Sequence, residues 1–177
     1  MGDLKQDRYP IGRFQRILRP LEASERAAFI SEIEQTPATI RSLVQSLTEL
    51  QLDIPYRPGG WTIRQVVHHV PDSHMHVYIR MKLAVTEDAP TIKAYDEARW
   101  AELSDARSGP IAASLDLLDA LHRRWIRFLR ALPESEFHKT FIHPELGAVP
   151  LFEAVAMYAW HGRHDAAHIR NALQRLV

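Results

Sequence analysis

Leu115, Leu118, Leu121, Trp125, Phe128 and Leu132 recur at spacings of three and four, the period that lines one stripe of a helix with apolar side chains, and Pro133 ends the run. This pattern predicts an amphipathic helix over Ile111–Leu132. A second signal starts at Thr62, which stands three residues before Gln65 in a capping-box arrangement just ahead of an apolar run. The helix that follows should reach about Val85, kinked at Pro71, which has no N–H and crowds the carbonyl of Val67. Leu151–Leu176 carries Val155, Tyr158, Ala159, Ala167 and Leu173 without a proline and reads as another long helix. Upstream, Glu22–Gln35 reads as a helix with Ser24 as its N-cap. Thr36-Pro37 reads as the start of a separate helix to about Leu50, with Leu43, Val44 and Leu47 as its stripe.

The remaining segments are connections. Met1–Pro20, with Pro10, Gly12 and Pro20, suggests an extended arm laid against the body. Asp53–Gly60 reads as a loop, and Thr86–Pro110 as a punctuated stretch with at most a short helix around Asp96–Leu103. Lys139–Val149, around Pro144 and Gly147, fits a small hairpin. Four or five helices that each carry one apolar stripe, with no strand-rich region, predict an all-α helical bundle in a single domain spanning 1–177.

Composition narrows the chemistry. The chain has 177 residues, 46% hydrophobic and 25% charged, so it can bury a core without help from a metal or disulfide. With no Cys, thiolate zinc sites, iron–sulfur clusters and cysteine nucleophiles are excluded, and any bound metal must rely on His and carboxylates. Lys plus Arg and Asp plus Glu are both 22, which disfavours nucleic acid and anionic lipid as partners. No apolar h-region opens the sequence and no run approaches about 18 apolar residues, so a cytoplasmic protein without a membrane span is expected.

Seven of the ten His fall in two of the long helices. Met157, His161, His164, His168 and Asn171 form a seam on the last one, and His164 and His168, one turn apart, can reach one ion. Spacing alone is weak, since random placement gives about 0.5 such pairs. Crowding is stronger, because three imidazoles on one seam need three partners when buried, whereas one cation satisfies several. A further ligand must come from another helix, where His68, His69, His74 and His76 are available. A helical wheel puts His74 at the apolar centre, His69 at its flank and His68 nearly opposite, and Pro71 blurs the choice.

The run Asp53-Ile54-Pro55-Tyr56-Arg57-Pro58-Gly59-Gly60-Trp61-Thr62-Ile63-Arg64-Gln65-Val66-Val67-His68-His69, followed by Asp72-Ser73-His74-Met75 and Tyr78-Ile79-Arg80, resembles the YfiT branch of the DinB/YfiT-like metalloenzyme superfamily. Tyr9-Pro10-Ile11-Gly12, Tyr95-Asp96-Glu97 and Tyr158-Ala159-Trp160-His161 with His164 and His168 also fit, so the resemblance covers almost the whole chain. It implies a four-helix bundle, usually a homodimer, holding one divalent metal between helices. The ligand on the earlier helix lies eight residues after the motif tryptophan, here Trp61, which gives His69, and the other two ligands map to His164 and His168. His74, His161 and Asp72 become pocket candidates, while Asp165 is expected to be a solvated surface acid.

Three neutral imidazoles leave a tetrahedral ion one open position, so the resemblance implies a metal-dependent hydrolase of a small molecule, with zinc the first choice and nickel also suited to nitrogen ligands. The same ion would acidify a low-molecular-weight thiol, which makes a bacillithiol-type S-transferase the main rival. A non-enzymatic metal-binding protein is a third reading. Arg57, Arg64 and Arg80 are possible basic pocket residues, and Trp61, Tyr78, Tyr95 and Trp160 possible walls. The stripe Arg123, Arg124, Arg127 and Arg130 could touch phosphates, but Asp116 and Asp119 one turn upstream favour a solvated face.

Overall fold

Two capping boxes fix where the first and second long helices begin. In a computed structural model that describes residues 8–175, α1 runs over Ala23–Val44 from Glu22, whose backbone N–H donates to Glu25 Oε2 at 2.9 Å, so Glu22 rather than Ser24 is the N-cap. A short α2 (Glu49–Leu52) follows, and α3 (Ile63–Thr86) starts from the expected box, Thr62 N–H donating to Gln65 Oε1 at 3.0 Å. Two short helices, α4 (Glu97–Trp100) and α5 (Ser104–Ser108), occupy the punctuated middle where one was expected, α4 capped by Asp96 Oδ1. The long α6 (Ala112–Ala131) buries the predicted stripe. A 3-10 turn (Glu134–His138) then leads into the hairpin of β1 (Thr140–His143) and β2 (Gly147–Pro150), antiparallel with Phe141 opposite Val149, and into α7 (Leu151–Gln174).

Thr36-Pro37 does not begin a new helix: α1 runs through it. Pro37 has no N–H to offer the Ile33 carbonyl, but that oxygen is taken instead by His122 Nδ1 of α6, which donates at 2.8 Å. Thr36 bonds back through its hydroxyl to the Glu32 carbonyl at 3.1 Å. Tertiary contacts thus replace the missing helix bond. Helix α3 also runs through its proline, Pro71.

Helices α1 and α3 each pack against both α6 and α7 and face one another across the diagonal, so the α1–α3 and α6–α7 connections cross an end of the bundle. The apolar core falls into two clusters. One holds Ile33, Val77, Met81, Trp125 and Val155, and the other Ile40, Val44, Ile63, Val70, Leu118 and Ile169. Between them every long helix contributes polar or small residues: Thr36 on α1, Ser73 and His74 on α3, His122 on α6, and His161, Gly162 and Asp165 on α7.

Described residues of the N-terminal arm lie on the body as expected. Arg16 reaches the buried Glu153 of α7 through Nε and Nη2, both at 2.7 Å, and ties the hairpin by donating to the Leu146 and Ala148 carbonyls. After α3 the chain runs beside β1, with Ile142 N–H donating to the Pro90 carbonyl and Ile92 N–H to the Ile142 carbonyl. Among the described residues no helix is long and apolar enough to cross a membrane.

Candidate metal centre

At the polar layer the bundle opens into a cavity of about 400 Å³, walled by His69 of α3, by His161, His164, Asp165 and His168 of α7, and by Tyr9, Tyr56, Trp61 and Trp160. The three histidines singled out as ligands, His69, His164 and His168, therefore share one cavity. The rings of His164 and His168 meet edge-on, centroids 4.3 Å apart, as expected for one helical turn. Aromatic neighbours fix each imidazole: Trp61 lies 4.9 Å from His69, Trp160 stacks 4.5 Å from His164, and Tyr56 lies 3.9 Å from His168, centroid to centroid. Ligating atoms of His69, His161 and Asp165 lie within 4.8 Å of one another, so a second set of donors points at the same space.

Among the described residues five polar atoms of this cavity's walls are buried without a hydrogen-bond partner: His164 Nε2, His168 Nδ1 and Asp165 Oδ2, which offer lone pairs to a cation, and Arg57 Nε and Trp160 Nε1, which are N–H donors. Buried polar atoms are normally paired, so orphans around one space mark a place built for a polar occupant. Burial holds His69 and His168 down to about 4, neutral and ready to ligate at neutral pH. Burial works against the charge of Asp165, but His161, His164 and His69 outweigh it and bring its pKa to about 2. Neutral imidazole nitrogens beside a buried carboxylate are a donor set that fits a divalent cation.

Asp165 is the clearest correction to the sequence reading. It is 5% exposed and walls the cavity, because the close approach of α7 to α1 at Gly162 leaves no solvent on that face. Asp72 is only half-buried and does not line the cavity, and burial, with Asp105 nearby, raises its pKa to about 6. His68 is occupied elsewhere, by Ser114 Oγ at 2.7 Å and the Gly109 carbonyl at 3.2 Å. Arg64 is 3% exposed but bonds to Asp53 and Glu49, so it braces the loop and is not a pocket base. Arg57 does line the cavity, whereas Tyr78 packs edge-on against Phe128 outside it. Arg123, Arg124, Arg127 and Arg130 are all exposed, and Arg130 pairs with Glu34 across to α1.

His74 lies beneath the cavity as part of a directed chain. Ile33 C=O can only accept, so His122 carries its proton on Nδ1, leaving Nε2 bare in the neutral ring. His122 Nε2 then accepts from His74 Nδ1 at 2.8 Å, and the bare His74 Nε2 accepts from His161 Nδ1 at 3.2 Å. Burial is the first cause keeping His122, at about 4, and His74, well below its ordinary value, neutral. The proton of His161 thus sits on Nδ1, also 3.0 Å from Asp165 Oδ2 but not aligned with it, while Nε2 faces Ser73 Oγ at 3.5 Å. Sequence reasoning missed His122, though Leu115, Leu118, His122, Trp125 and Leu129 keep core spacing, and a histidine in that register needs buried partners. Tyr95, expected as a pocket wall, meets His69 Nδ1 through its hydroxyl oxygen at 3.4 Å, which accepts when His69 keeps Nε2 free, and Glu97, missed as a site residue, places Oε2 3.9 Å from His69 Nε2.

The chain is similar to known proteins over almost its whole length. The profile of the DinB superfamily matches residues 32–169. A Bacillus cereus (strain B4264) protein named "putative metal-dependent hydrolase" is 51% identical over 176 residues, 99% of each chain. A Bacillus thuringiensis subsp. konkukian (strain 97-27) protein of the same designation is 50% identical over 176 residues, again 99% of each. Among solved structures, YfiT from Bacillus subtilis, described as "a probable metal-dependent hydrolase with an unusual four-helix bundle topology", superposes with a TM-score of 0.93 at 41% identity, covering 97% of this chain and 98% of that one. The four-helix bundle protein TT2238 shares the fold alone, with a TM-score of 0.53 at 20% identity over 85% of this chain and 98% of its own. With family profile, relatives and superposition in agreement, the chain belongs to the DinB superfamily, in its YfiT branch.

Proposed function

We propose that this protein is a metal-dependent hydrolase in which His69, His164 and His168 hold one divalent ion, zinc first and nickel second. The observation that carries the reading is the pair of orphaned buried nitrogens, His164 Nε2 and His168 Nδ1, opening on the cavity that His69 lines. The competing set, His69, His161 and Asp165, is tighter, but His161 Nδ1 is already committed to His74. An ion held by these three neutral imidazoles would supply the charge to acidify a water toward a pKa of about 7 and to polarise a substrate carbonyl. The chain supplies the rest. Ionised Asp165 offsets part of the dication's charge at the cavity wall, and Tyr95 holds His69 through Nδ1. His161 lines the same cavity, with Nδ1 bonded to His74 and Nε2 turned to Ser73 Oγ at 3.5 Å. The names of the Bacillus cereus and Bacillus subtilis relatives support hydrolysis.

Elemental analysis of the purified protein should find one divalent metal per chain, lost in His164→Ala and His168→Ala and retained in His161→Ala. Full occupancy in His164→Ala, or loss confined to His161→Ala, would transfer the site to the other set. Activated esters and amides should turn over without added thiol. Turnover only of an electrophile such as monobromobimane in the presence of bacillithiol would replace the hydrolase with a thiol S-transferase.

A further inference from the structure

Arg80 of α3 is a buried cation without a carboxylate. It is 8% exposed, and its hydrogen bond among the described residues runs from Nη2 to the Lys93 carbonyl at 3.1 Å. Of the other buried charges, Arg64 pairs with Asp53 and Glu49, Glu153 pairs with Arg16, and Asp165 belongs to the metal centre, 3.0 Å from His161. Since an unpaired buried charge is costly, an arginine kept this way calls for an external anion.

Its surroundings give that anion a place. Arg80 walls a second cavity of about 310 Å³ with Ser73, Tyr95, Phe141, Met157 and Tyr158, and this cavity shares Glu97 and His161 with the metal centre. Burial, and then the guanidinium, depress His143 on the same wall, which puts the charge of Arg80 on this side. Glu97, with a side chain 63% exposed, and the exposed Glu145 sit at the rim, solvated and outside ion-pair range of Arg80.

We infer that this cavity is the substrate pocket and that Arg80 binds a carboxylate on a small ester or amide whose scissile bond is thereby held at the metal centre. The ester or amide rests on the hydrolase reading, but the anion site does not. A guanidinium fork matches both carboxylate and phosphate. One arginine over an apolar floor of Phe141, Val149, Ala154 and Met157 suits a monoanion with an apolar body, because a phosphate dianion would keep an uncompensated charge. His161 stands on the wall between the two cavities, with Nε2 3.5 Å from Ser73 Oγ.

Calorimetric titration of the full-length protein with 3-phenylpropionate and its neutral amide tests the inference, with zinc loaded and after chelation. The acid should bind in both states, with the amide about 10- to 100-fold weaker and Arg80→Gln weakening the acid by a similar factor. Arg80→Lys, which keeps the charge, should recover part of the affinity. Equal binding of acid and amide to the wild type overturns the proposal without reference to any variant. So does unchanged affinity in Arg80→Gln, acid binding only when zinc is present, or tighter binding of inorganic phosphate. Acid binding without ester or amide turnover would keep the anion site and remove the hydrolase, whereas turnover with no preference for acidic substrates would do the reverse.

Discussion

The carbonyl of Ile33 and the missing N–H of Pro37 together decide where three protons sit, because an acceptor at one end of a line of neutral imidazoles fixes every tautomer along it. Long-range proton–nitrogen spectra of the metal-free protein should show His122, His74 and His161 all carrying hydrogen on Nδ1. His74 found with hydrogen on Nε2 would break the chain at its centre. Replacing His122 by Phe keeps an apolar ring of similar size but leaves Ile33 C=O and His74 Nδ1–H without partners. It should cost about 1–3 kcal/mol for each group left unpaired, read from a urea midpoint. It should also let His74 and His161 change tautomer, a spectral response that mere loss of packing would not produce. The helical wheel located His74 in the core correctly, where both of its ring nitrogens are taken by His122 and His161. The register from Trp61 selected His69, at the flank, where a side chain can leave the core and reach a cavity.

Helix α7 meets α1 at a point that tests how the bundle is held. A Cβ on Gly162 would lie 2.5 Å from Thr36 Oγ1 and 2.9 Å from Thr36 Cγ2. Glycine in an open helix position gives up about 1 kcal/mol relative to alanine, so Gly162→Ala would stabilise the protein if the helices were apart. Here the clash should reverse the sign, with a net loss of about 1–3 kcal/mol in urea unfolding. Thr36→Ala removes both crowding atoms and should recover most of that loss in the double variant, and simple additivity would show that the two positions do not meet. What local sequence could specify at this scale was whatever local bonds decide: the Thr62–Gln65 box, the α6 stripe and the hairpin around Gly147 all formed where periodicity and turn chemistry put them. The break expected at Thr36-Pro37 failed because its compensation comes from α6, far along the chain. The burial of Asp165 was equally hidden, since it depends on how closely two helices approach at a glycine.

Across the whole molecule, a polar layer of neutral histidines between two apolar clusters makes stability depend on acid. His69, His122 and His168 titrate near 4 in the folded protein, chiefly through burial, against about 6.5 when exposed. Between those values the unfolded chain holds protons that the folded one does not, so stability is present above about pH 6.5 and is lost as pH falls toward 4. Asp72, raised to about 6 by burial, opposes this by binding a proton in the folded state first. Asp165, lowered to about 2, adds nothing in this window. Three histidines against one carboxyl, with His74 held neutral in the same way, leave at least two protons taken up on unfolding near pH 5, a slope of at least roughly 3 kcal/mol per pH unit for the metal-free protein. A divalent ion bound only by the native state adds stability by mass action but competes with protons for the same nitrogens, so its contribution should also fade across this window. Urea unfolding at pH 7, 6 and 5, with and without zinc, should therefore show the midpoint falling steadily with acid and the zinc increment shrinking with it. A flat profile from pH 7 to 5 would mean that the histidine layer is not buried neutral, and the tautomer chain that depends on it would fall as well.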